Sequence, residues 1–406
     1  MTDKPFLPYG RQQIDADDIA AVTAVLNGSF LTTGPAVDEF ETAFAKAVSA
    51  RYAISCSSAT AGLHLAMMAM GVGPGDKVAV PSMTFLATAN AVRYVGADVV
   101  FTDVDPDNGL MRPQDLAAVL DGPEGGAIKA VSPVHLAGQA VDMRRIAEIA
   151  GRSGLAVVED ASHAVGTSYD DGEGGAVKVG SCRHGDVAVF SFHPVKTLAM
   201  GEGGAITTND PALADRLKNL RNHGMTSDAE KMTNAALAFG GDGAVNPWYY
   251  EMAEPGYNYR ASDLHCALGL SQLRKLDRFI GRRRHLVKLY DDRLSVLAPT
   301  VRPIARVGGC MPGWHIYPVL IDFETLGKSR AEVMNGLRQM GIGTQVHYIP
   351  VHRQPYYQAL YGPIDLPGAD SYYARTLTLP LFPAMKDEDV ERVVRAVLNV
   401  TDRTNT

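Results

Sequence analysis

The sequence of 406 residues contains few cysteines and no long apolar run. Cys56, Cys182, Cys266 and Cys310 are far apart and form no CxxC pair, which argues against a disulfide framework and a zinc pattern. We therefore expect free thiols in a cytoplasmic protein and no metal site. No apolar stretch is long enough to cross a bilayer, and the opening MTDKPFLPYG lacks the apolar segment of a signal peptide, so we expect no membrane association.

An excess of basic residues is also lacking. Lys and Arg number 38 against 45 Asp and Glu, and the net charge of −7 argues against a broad nucleic-acid-binding face. The short basic run Arg282–Arg284 indicates an exposed helix face. No GxGxxG motif opens a helix after the first strand, which argues against a nicotinamide-dependent dehydrogenase. Hydrophobic residues make up 46 % of the chain, enough for a sizeable core and two or three domains.

Short apolar runs alternate with helical patterns through the first half of the chain. This order predicts an α/β fold with a mostly parallel sheet covered on both faces. The predicted strands are Ala53–Cys56, Lys77–Val80, Val99–Asp103, Ala130–Val134, Leu155–Val158, Val187–Phe192 and Gly204–Thr208. The predicted helices are 15–26, Val37–Val48, Thr60–Met70, Thr84–Tyr94, Pro113–Leu120 and Met143–Ser153.

The pattern changes after residue 260. Residues 262–297 have helical periodicity and predict a long helix. Beyond Pro299 the texture predicts an α+β unit, with strands His315–Ile321 and Gly343–Tyr348, a helix opened by the Ser329–Glu332 capping box, and a last helix Asp387–Val400. We predict a large domain over 1–280 and a small C-terminal domain over 281–406.

Two segments place chemistry at strand ends. In DVAVFSFHPVKTLAMGEGGAITTND, 186–210, an apolar strand delivers Ser191, His193 and Lys196 to its carboxyl end, where open α/β sheets bind ligands. A lysine among apolar and glycine residues has a lowered pKa and attacks carbonyls more readily. In LAVVEDASHAVG, 155–166, Asp160 ends another apolar run and can face the same crevice. Alternatively, Lys196 is a surface lysine and Asp160 a helix cap.

A third segment, SCSSATAGLHLAMMAM at 55–70, joins a strand to a helix. The free amides at Ala59 and Thr60 and the positive helix end can bind a phosphate, although plain capping by serine or threonine is an alternative. His64 lies in an apolar helix and is expected to be a packed core residue. In PSMTFLATANAV, 81–92, Phe85 follows a strand end and could stack on a flat cofactor or simply pack in the core.

Together these segments resemble the DegT/DnrJ/EryC1/StrS family of sugar aminotransferases, from PYGRQ at 8–12 to LPLFPAMKDEDV at 379–390. The resemblance includes SATAGLHLA, PSMTFLATAN, VEDASHAVG, FSFHPVK, GEGGAITTN, LRNHG and GYNYRASDLHCALGLSQL. It implies an α/β pyridoxal phosphate (PLP) enzyme of fold type I, the aspartate-aminotransferase fold. Such an enzyme moves an amino group from L-glutamate through the cofactor to a nucleotide-linked keto sugar.

The resemblance also assigns roles to residues. Lys196 matches the lysine that binds PLP covalently, Asp160 the carboxylate on the pyridine nitrogen, and His193 a residue that positions the lysine or the substrate. His163 matches the group at the 3-oxygen of the ring, and Phe85 the aromatic stacked on it. Ala59, Thr60 and Ser191 match the phosphate site. Asn258 matches a residue that reaches the phosphate of the neighbouring subunit's PLP, which implies a homodimer with shared sites. The implied substrate-binding residues are Tyr9, Thr32, Thr33, His347, Tyr348 and His352.

Two motifs narrow the substrate. NPWYYEM, 246–252, and QVHYIPVHRQPYY, 345–357, are similar to family members of pseudaminic acid biosynthesis. Those enzymes aminate C4 of a UDP-linked 4-keto-6-deoxy-N-acetylhexosamine. Alternatives are another nucleotide-linked or acyclic keto sugar, such as GDP-4-keto-6-deoxymannose or a dTDP-keto sugar. A sugar 3-dehydratase of the same fold is disfavoured because it carries His where this chain has Lys196. A non-catalytic sensor is disfavoured by the intact Lys196, Asp160 and Ser191.

Overall fold

The computed structural model describes residues 5–172 and 174–402. Its first part, up to residue 160, alternates helices and strands as the apolar pattern predicts. In chain order these are α1 Ala16–Leu26, α2 Pro35–Val48, β1 Tyr52–Cys56, α3 Ala59–Ala69, β2 Lys77–Pro81, α4 Leu86–Tyr94, β3 Asp98–Thr102, α5 Pro113–Leu120, β4 Ile128–Val131, α6 Met143–Ser153 and β5 Ala156–Asp160.

The second part contains the reversed strand of the sheet and two helices that lead to the C-terminal region. Its elements are β6 Ser168–Asp170, β7 Ala176–Lys178, β8 Val187–Ser191, β9 Gly204–Thr208, α7 Pro211–Arg221, β10 Met225–Thr226, α8 Ala235–Ala238, β11 Glu251–Met252, α9 Asp263–Leu273 and α10 Leu276–Leu294. The C-terminal region follows with β12 Val301–Pro303, β13 Cys310–Met311, β14 Tyr317–Ile321, α11 Phe323–Leu326, α12 Arg330–Gln339, α13 Pro355–Tyr361, α14 Pro367–Arg375, β15 Thr376–Leu379 and α15 Asp387–Thr401.

Seven strands form the central sheet in the order β1-β9-β8-β5-β4-β2-β3. Every pairing from β8 to β3 is parallel, whereas β9 is antiparallel to both of its neighbours. The predicted mostly parallel α/β sheet is therefore confirmed. Strands β8 and β9 are buried along their whole length. Helix α3 packs on both, and this burial fixes the register that brings strand ends to one edge.

Aromatic packing attaches α2 to the sheet. The ring of Phe44 lies edge-on to those of Phe190 and Phe192, with both centroid distances 5.1 Å. All three rings are fully buried. Such edge-to-face pairs add about 0.5–1.5 kcal/mol each beyond the burial of their area. The aromatic cluster thus anchors the strand that ends at Ser191.

Two predictions from the sequence are wrong in detail. The segment 262–297 is two helices, because the chain turns at Lys275, whose ammonium group lies 2.9 Å from the Asp18 carboxylate of α1. Residues Gly343–Tyr348 form no strand; they contribute one bridge, from Gln345 to Thr378 of β15. The chain leaves the sheet there and runs along the cavity described below. The capping box at Ser329 is present as predicted.

Smaller sheets lie beside the central one. In the C-terminal region β12, β14 and β15 form an antiparallel sheet. A second small sheet, β13-β6-β7, joins the C-terminal region to the segment after β5. Residue 280 falls inside α10, so the division into 1–280 and 281–406 stays a prediction. None of the helices in the described ranges is long and apolar enough to span a membrane.

The beginning of the chain lies against its end. The N–H of Leu7 donates to the carbonyl of Gly341 at 2.9 Å, and the carbonyl of Leu7 accepts from the N–H of Gly343 at 2.7 Å. The N–H of Leu381 donates to the carbonyl of Tyr9 at 2.9 Å. These bonds hold the segment around Tyr9 against the C-terminal region, which places this tyrosine at the wall of the main cavity.

Candidate active site

A cavity of about 480 Å³ opens where the carboxyl ends of β5 and β8 meet the amino end of α3. Asp160 is the last residue of β5 and Ser191 the last of β8. The turn that carries Lys196 follows directly, and residues 345–349 also line the cavity. This is the edge at which ligands bind in open α/β sheets.

Most of the residues predicted from the sequence line this one cavity. They are Tyr9, Ala59, Thr60, Phe85, Asp160, His163, Ser191, His193, Lys196, His347 and Tyr348. Four predicted residues do not line it. Thr32, Thr33 and Asn258 are exposed elsewhere on the chain. His352 is buried, and its Nδ1 lies 2.5 Å from the hydroxyl of Ser82.

Lys196 is partly buried in the cavity wall. Its backbone N–H donates to the carbonyl of His193 at 2.8 Å, which closes the turn after β8. Burial lowers the pKa of the Lys196 amine from 10.5 to about 8, and the charge of Asp160 opposes the decrease. At pH 7 about one tenth of this amine is therefore uncharged, roughly 300 times the fraction at its ordinary pKa. The uncharged amine is the form that attacks a carbonyl.

This lowered pKa predicts a pH-dependent stability effect in the protein without cofactor. Between about pH 8 and 10.5 the unfolded chain binds one more proton at Lys196 than the folded chain, so stability rises with pH across this window. Since each pKa unit corresponds to about 1.4 kcal/mol, we expect Lys196→Met to raise the unfolding free energy at pH 7 by up to about 3 kcal/mol. The gain should shrink toward pH 10.

Urea denaturation of the cofactor-free proteins at pH 7 and pH 9.5 measures the effect. The exposed Lys218 on α7 offers a matched control, Lys218→Met, for which little change is expected at either pH. An equal unfolding free energy for wild type and Lys196→Met at pH 7 would contradict the desolvation of this amine.

The Asp160 carboxylate is held by two donors. The hydroxyl of Thr88 donates to its Oδ2 at 2.7 Å, and the N–H of Ser162 donates to its Oδ1 at 3.1 Å. Since the Thr88 hydroxyl donates its proton to the carboxylate, the Thr88 oxygen is left to accept a hydrogen bond. The hydroxyl of Thr84 donates this bond, and the two oxygens are 2.7 Å apart. Asp160 is 5 % exposed. This network fixes the orientation of a carboxylate that can pair with a protonated ring nitrogen.

Glu159, one residue earlier, points away from this network. Its Oε2 lies 3.0 Å from Nε2 of His135, and both side chains are fully buried. The N–H of Val141 donates to Nδ1 of the same ring. Alternation along β5 thus separates the carboxylate in the cavity from one that stabilises the interior.

The amino end of α3 provides a phosphate-sized group of donors. Ser58 caps the helix by accepting from the N–H of Ala61 at 3.1 Å. The amides of Ala59 and Thr60 lie in the first turn at the cavity, with the hydroxyl of Ser191 on the same wall. Free first-turn amides and the helix dipole bind anions.

Gly204 at the start of β9 allows this helix end to come close. A Cβ at Gly204 would lie 2.7 Å from the backbone nitrogen of Ala59 and 2.8 Å from the carbonyl oxygen of Ser58. No larger residue fits without displacing the helix start. The residues present therefore fit PLP: the first-turn amides suit its phosphate, Lys196 its aldehyde, and Asp160 its ring nitrogen.

Aromatic and histidine rings form the remaining walls. Phe85 is 55 % exposed, and its ring centroid lies 5.8 Å from that of Tyr348. The ring of Tyr9 lies 5.5 Å from that of His347, whose Nδ1 is 2.8 Å from the hydroxyl of Thr378. Burial and the charge of Lys196 lower the pKa of His347 to about 3, so the ring is neutral near pH 7.

Sequence reasoning missed Thr88 and His315. Thr88 lies in helix α4 and within the PSMTFLATAN segment, but it is 72 residues from the carboxylate that it contacts, and the resemblance assigned it no role. His315 precedes β14 and lines the cavity, with its ring centroid 4.4 Å from that of His163. His64 is buried as predicted, with Nδ1 3.3 Å from the hydroxyl of Tyr259. His193 is exposed at the cavity mouth.

Comparison with known proteins gives consistent matches along the whole chain. Residues 12–398 match the DegT/DnrJ/EryC1/StrS aminotransferase family. The chain is 40 % identical over 398 residues to the spore coat polysaccharide biosynthesis protein SpsC of Bacillus subtilis (strain 168), covering 97 % of each.

Two solved structures are similar in fold. Helicobacter pylori PseC, an aminotransferase involved in the biosynthesis of pseudoaminic acid, superposes with a TM-score of 0.86 at 27 % identity, over 97 % of this chain and 99 % of that one. Spr1654 of Streptococcus pneumoniae, proposed to be a sugar aminotransferase, superposes in its PLP form with a TM-score of 0.85 at 26 % identity, over 99 % of this chain and 100 % of that one.

Proposed function

This chain belongs to the DegT/DnrJ/EryC1/StrS aminotransferase family, and from that premise we propose that its acceptor is a UDP-linked 4-keto-6-deoxy-N-acetylhexosamine, aminated at C4 at the expense of L-glutamate. The chain is a PLP-dependent sugar aminotransferase of the aspartate-aminotransferase fold. The observation that carries the proposed substrate is the likeness to PseC over nearly the full length of both chains.

The cavity suits the chemistry of amino transfer. PLP, when bound, supplies an electron sink for the carbon that loses a proton. We propose that Asp160, oriented by Thr88, keeps the proton on the ring nitrogen. The amides of Ala59 and Thr60 and the hydroxyl of Ser191 would hold the phosphate, and Phe85 would cover one face of the ring.

Lys196 has two tasks in this proposal. Its amine, with a pKa of about 8, would hold the aldehyde carbon of the cofactor. Its free amine would move a proton between carbon atoms of the bound ligand, as a general base and then as a general acid. A pKa near the working pH serves both directions, because the amine must be uncharged to accept and charged to donate. His193, at the cavity mouth, would position the lysine or the substrate.

Neutral hydrogen-bonding side chains contribute to the lining of the cavity. His347, Tyr348 and Gln345 lie on the segment 345–349, and Tyr9 lies beside them. Side chains of this kind suit sugar hydroxyl and carbonyl groups. We propose that Tyr9, His347 and Tyr348 contact the sugar. His352 is too far inside the protein for this task, so its contribution would be to support the wall through Ser82.

A panel of keto sugars tests the acceptor. The holoenzyme is given glutamate and UDP-, GDP- or dTDP-linked 4-keto sugars, and 2-oxoglutarate release is measured. We expect the UDP-linked N-acetylhexosamine to give a kcat/KM at least about 100-fold above the others, the discrimination that well-placed polar contacts provide. Activity confined to a GDP- or dTDP-linked sugar would refute the acceptor and leave the family unaffected.

We also propose that the active unit is a homodimer with shared sites. Thr32, Thr33 and Asn258 are exposed and lie outside the cavity of their own chain. Thr33 lines a surface cleft with Arg260 and His223, and the backbone of Asn258 pairs with Asn222 beside it. In a dimer this cleft would complete the partner's cavity.

Subunit complementation tests the sharing. Lys196→Ala and Asn258→Ala chains are mixed under conditions that exchange subunits. If Asn258 acts on the partner's cavity, each mixed dimer has one unaltered site, and about one quarter of all sites become intact. If Asn258 acts within its own chain, or not at all, mixing restores no activity beyond the average of the parents.

We propose the cytoplasm as the place of action. The four cysteines are free thiols, a state typical of proteins in reducing compartments.

A further inference from the structure

Two hydrogen bonds to the ring of His163 connect the backbone of Ala137 to the hydroxyl of Tyr348 in the cavity. The backbone N–H of Ala137 lies 3.3 Å from Nδ1 of His163, and Nε2 of the same ring lies 3.0 Å from the hydroxyl oxygen of Tyr348. His163 and Tyr348 both line the cavity that contains Lys196. The arrangement connects a fixed backbone donor to a hydroxyl group at the ligand.

The protons of these two hydrogen bonds can be assigned. A backbone N–H can only donate, so Nδ1 of His163 is an acceptor. A neutral imidazole then carries its one proton on Nε2. The Nε2–H donates to the oxygen of Tyr348, which leaves the Tyr348 hydroxyl proton to be donated elsewhere. Within residues 5–172 and 174–402 no protein acceptor is within bonding distance of that proton.

The surroundings keep both groups in the required state. Burial, then the charges of Lys196 and His347, hold the pKa of His163 well below its ordinary value, so the ring stays neutral. His315, the other ring packed against it, is also kept neutral by burial, which moves its pKa in the same direction. Burial and the nearby Asp160 carboxylate raise the pKa of Tyr348, so its hydroxyl stays protonated.

We propose that the Tyr348 hydroxyl donates a hydrogen bond to an oxygen of the ligand bound in the cavity, and that His163 is the positioning residue that fixes the direction of this bond. The acceptor is a carbonyl or anionic oxygen. Two sources can supply it: the 3-oxygen of PLP, or an oxygen of the keto sugar, the latter resting on the proposed function. If the acceptor is the 3-oxygen of PLP, Tyr348 takes the role that the sequence resemblance gives to His163.

Nuclear magnetic resonance tests the proton assignment without cofactor chemistry. In protein labelled with ¹⁵N-histidine, the His163 signals are identified by their loss in His163→Gln. We expect a neutral ring with its proton on Nε2 from pH 6 to pH 8. A proton on Nδ1, or protonation of the ring within this range, would overturn the inference, whatever the enzyme's substrate.

Absorbance of the PLP-loaded enzyme without substrate identifies a cofactor acceptor. A donor to an anionic oxygen contributes about 1.5–3 kcal/mol, so its loss in Tyr348→Phe should raise the pKa of the bound chromophore by about 1–2 units. His163→Leu should act in the same direction. His163→Gln, whose amide can accept from Ala137 and donate to Tyr348, should restore the wild-type value. The exposed Tyr356, substituted to Phe, is the matched control.

A sugar acceptor gives a different pattern. The spectrum and the glutamate half-reaction of Tyr348→Phe would then equal those of wild type, while kcat/KM for the keto sugar falls about 10–100-fold. The proposal is overturned if a folded Tyr348→Phe protein keeps the wild-type pKa of the chromophore and its kcat/KM for the keto sugar stays within about twofold of wild type. The absorbance measurement needs no sugar, so its result remains valid even if the proposed sugar acceptor is wrong.

Discussion

Replacing Lys196 by alanine is expected to lower transamination by at least about 10³-fold, because proton transfer by a positioned side chain alone contributes about 10²–10⁴-fold. The cavity offers no equivalent group on that turn: His193 is exposed at its mouth, and its ring has no partner among the described residues. The loss should appear mainly in kcat, since the variant keeps Asp160 and the phosphate site proposed at Ala59 and Thr60.

Three measurements check this prediction. Turnover with glutamate and a keto sugar gives kcat, the visible absorbance of the covalently attached cofactor should vanish, and borohydride reduction should fix PLP to the wild-type Lys196 peptide only. Lys218→Ala, on the exposed face of α7, should behave as wild type. Retention of full turnover in Lys196→Ala would refute the assignment of this residue.

Asp160→Asn is expected to retain PLP but to lose about 10²–10³-fold in kcat, the usual scale for removing one preorganised electrostatic contact to developing charge. An amide of nearly equal size preserves the bond from Thr88, so the fold should survive. It carries no negative charge, however, and cannot hold a proton on the ring nitrogen.

Separate measurements of PLP dissociation and of kcat distinguish binding from chemistry here. The exposed Asp121, substituted to Asn, controls for the loss of one charge. Equal turnover in Asp160→Asn and wild type would mean that another group keeps the ring nitrogen protonated. A failure to bind PLP would instead show that Asp160 is needed to assemble the site.

The sequence was informative where function depends on strand ends. Ser191 and Asp160 each terminate a buried run, and the parallel sheet brings such ends to one edge, so their meeting could be predicted without coordinates. The helix start at Ala59 could be found for the same reason. Here, local pattern and overall topology agree.

Contacts between distant segments could not be predicted in this way. Thr88 lies in a quoted segment, but nothing in that segment indicates its partner, because its bond to Asp160 depends on how α4 is placed beside β5. The segment after Gly343 has alternating apolar residues typical of a strand, yet it pairs with β15 at one residue only. This segment lines the cavity instead. Local periodicity does not encode that path.

The bonds between Leu7 and the backbone at Gly341 and Gly343, and between Tyr9 and Leu381, have a consequence for how the protein is made. Because a chain is synthesised from its amino end, Leu7 gains these partners only after Gly343 has been made, and Tyr9 only after Leu381 has been made. The wall that carries Tyr9 therefore cannot form on the nascent chain, even when the central sheet has already folded. A chain that stops before Leu381 would lack the bond to Tyr9, so the cavity would be open on that side.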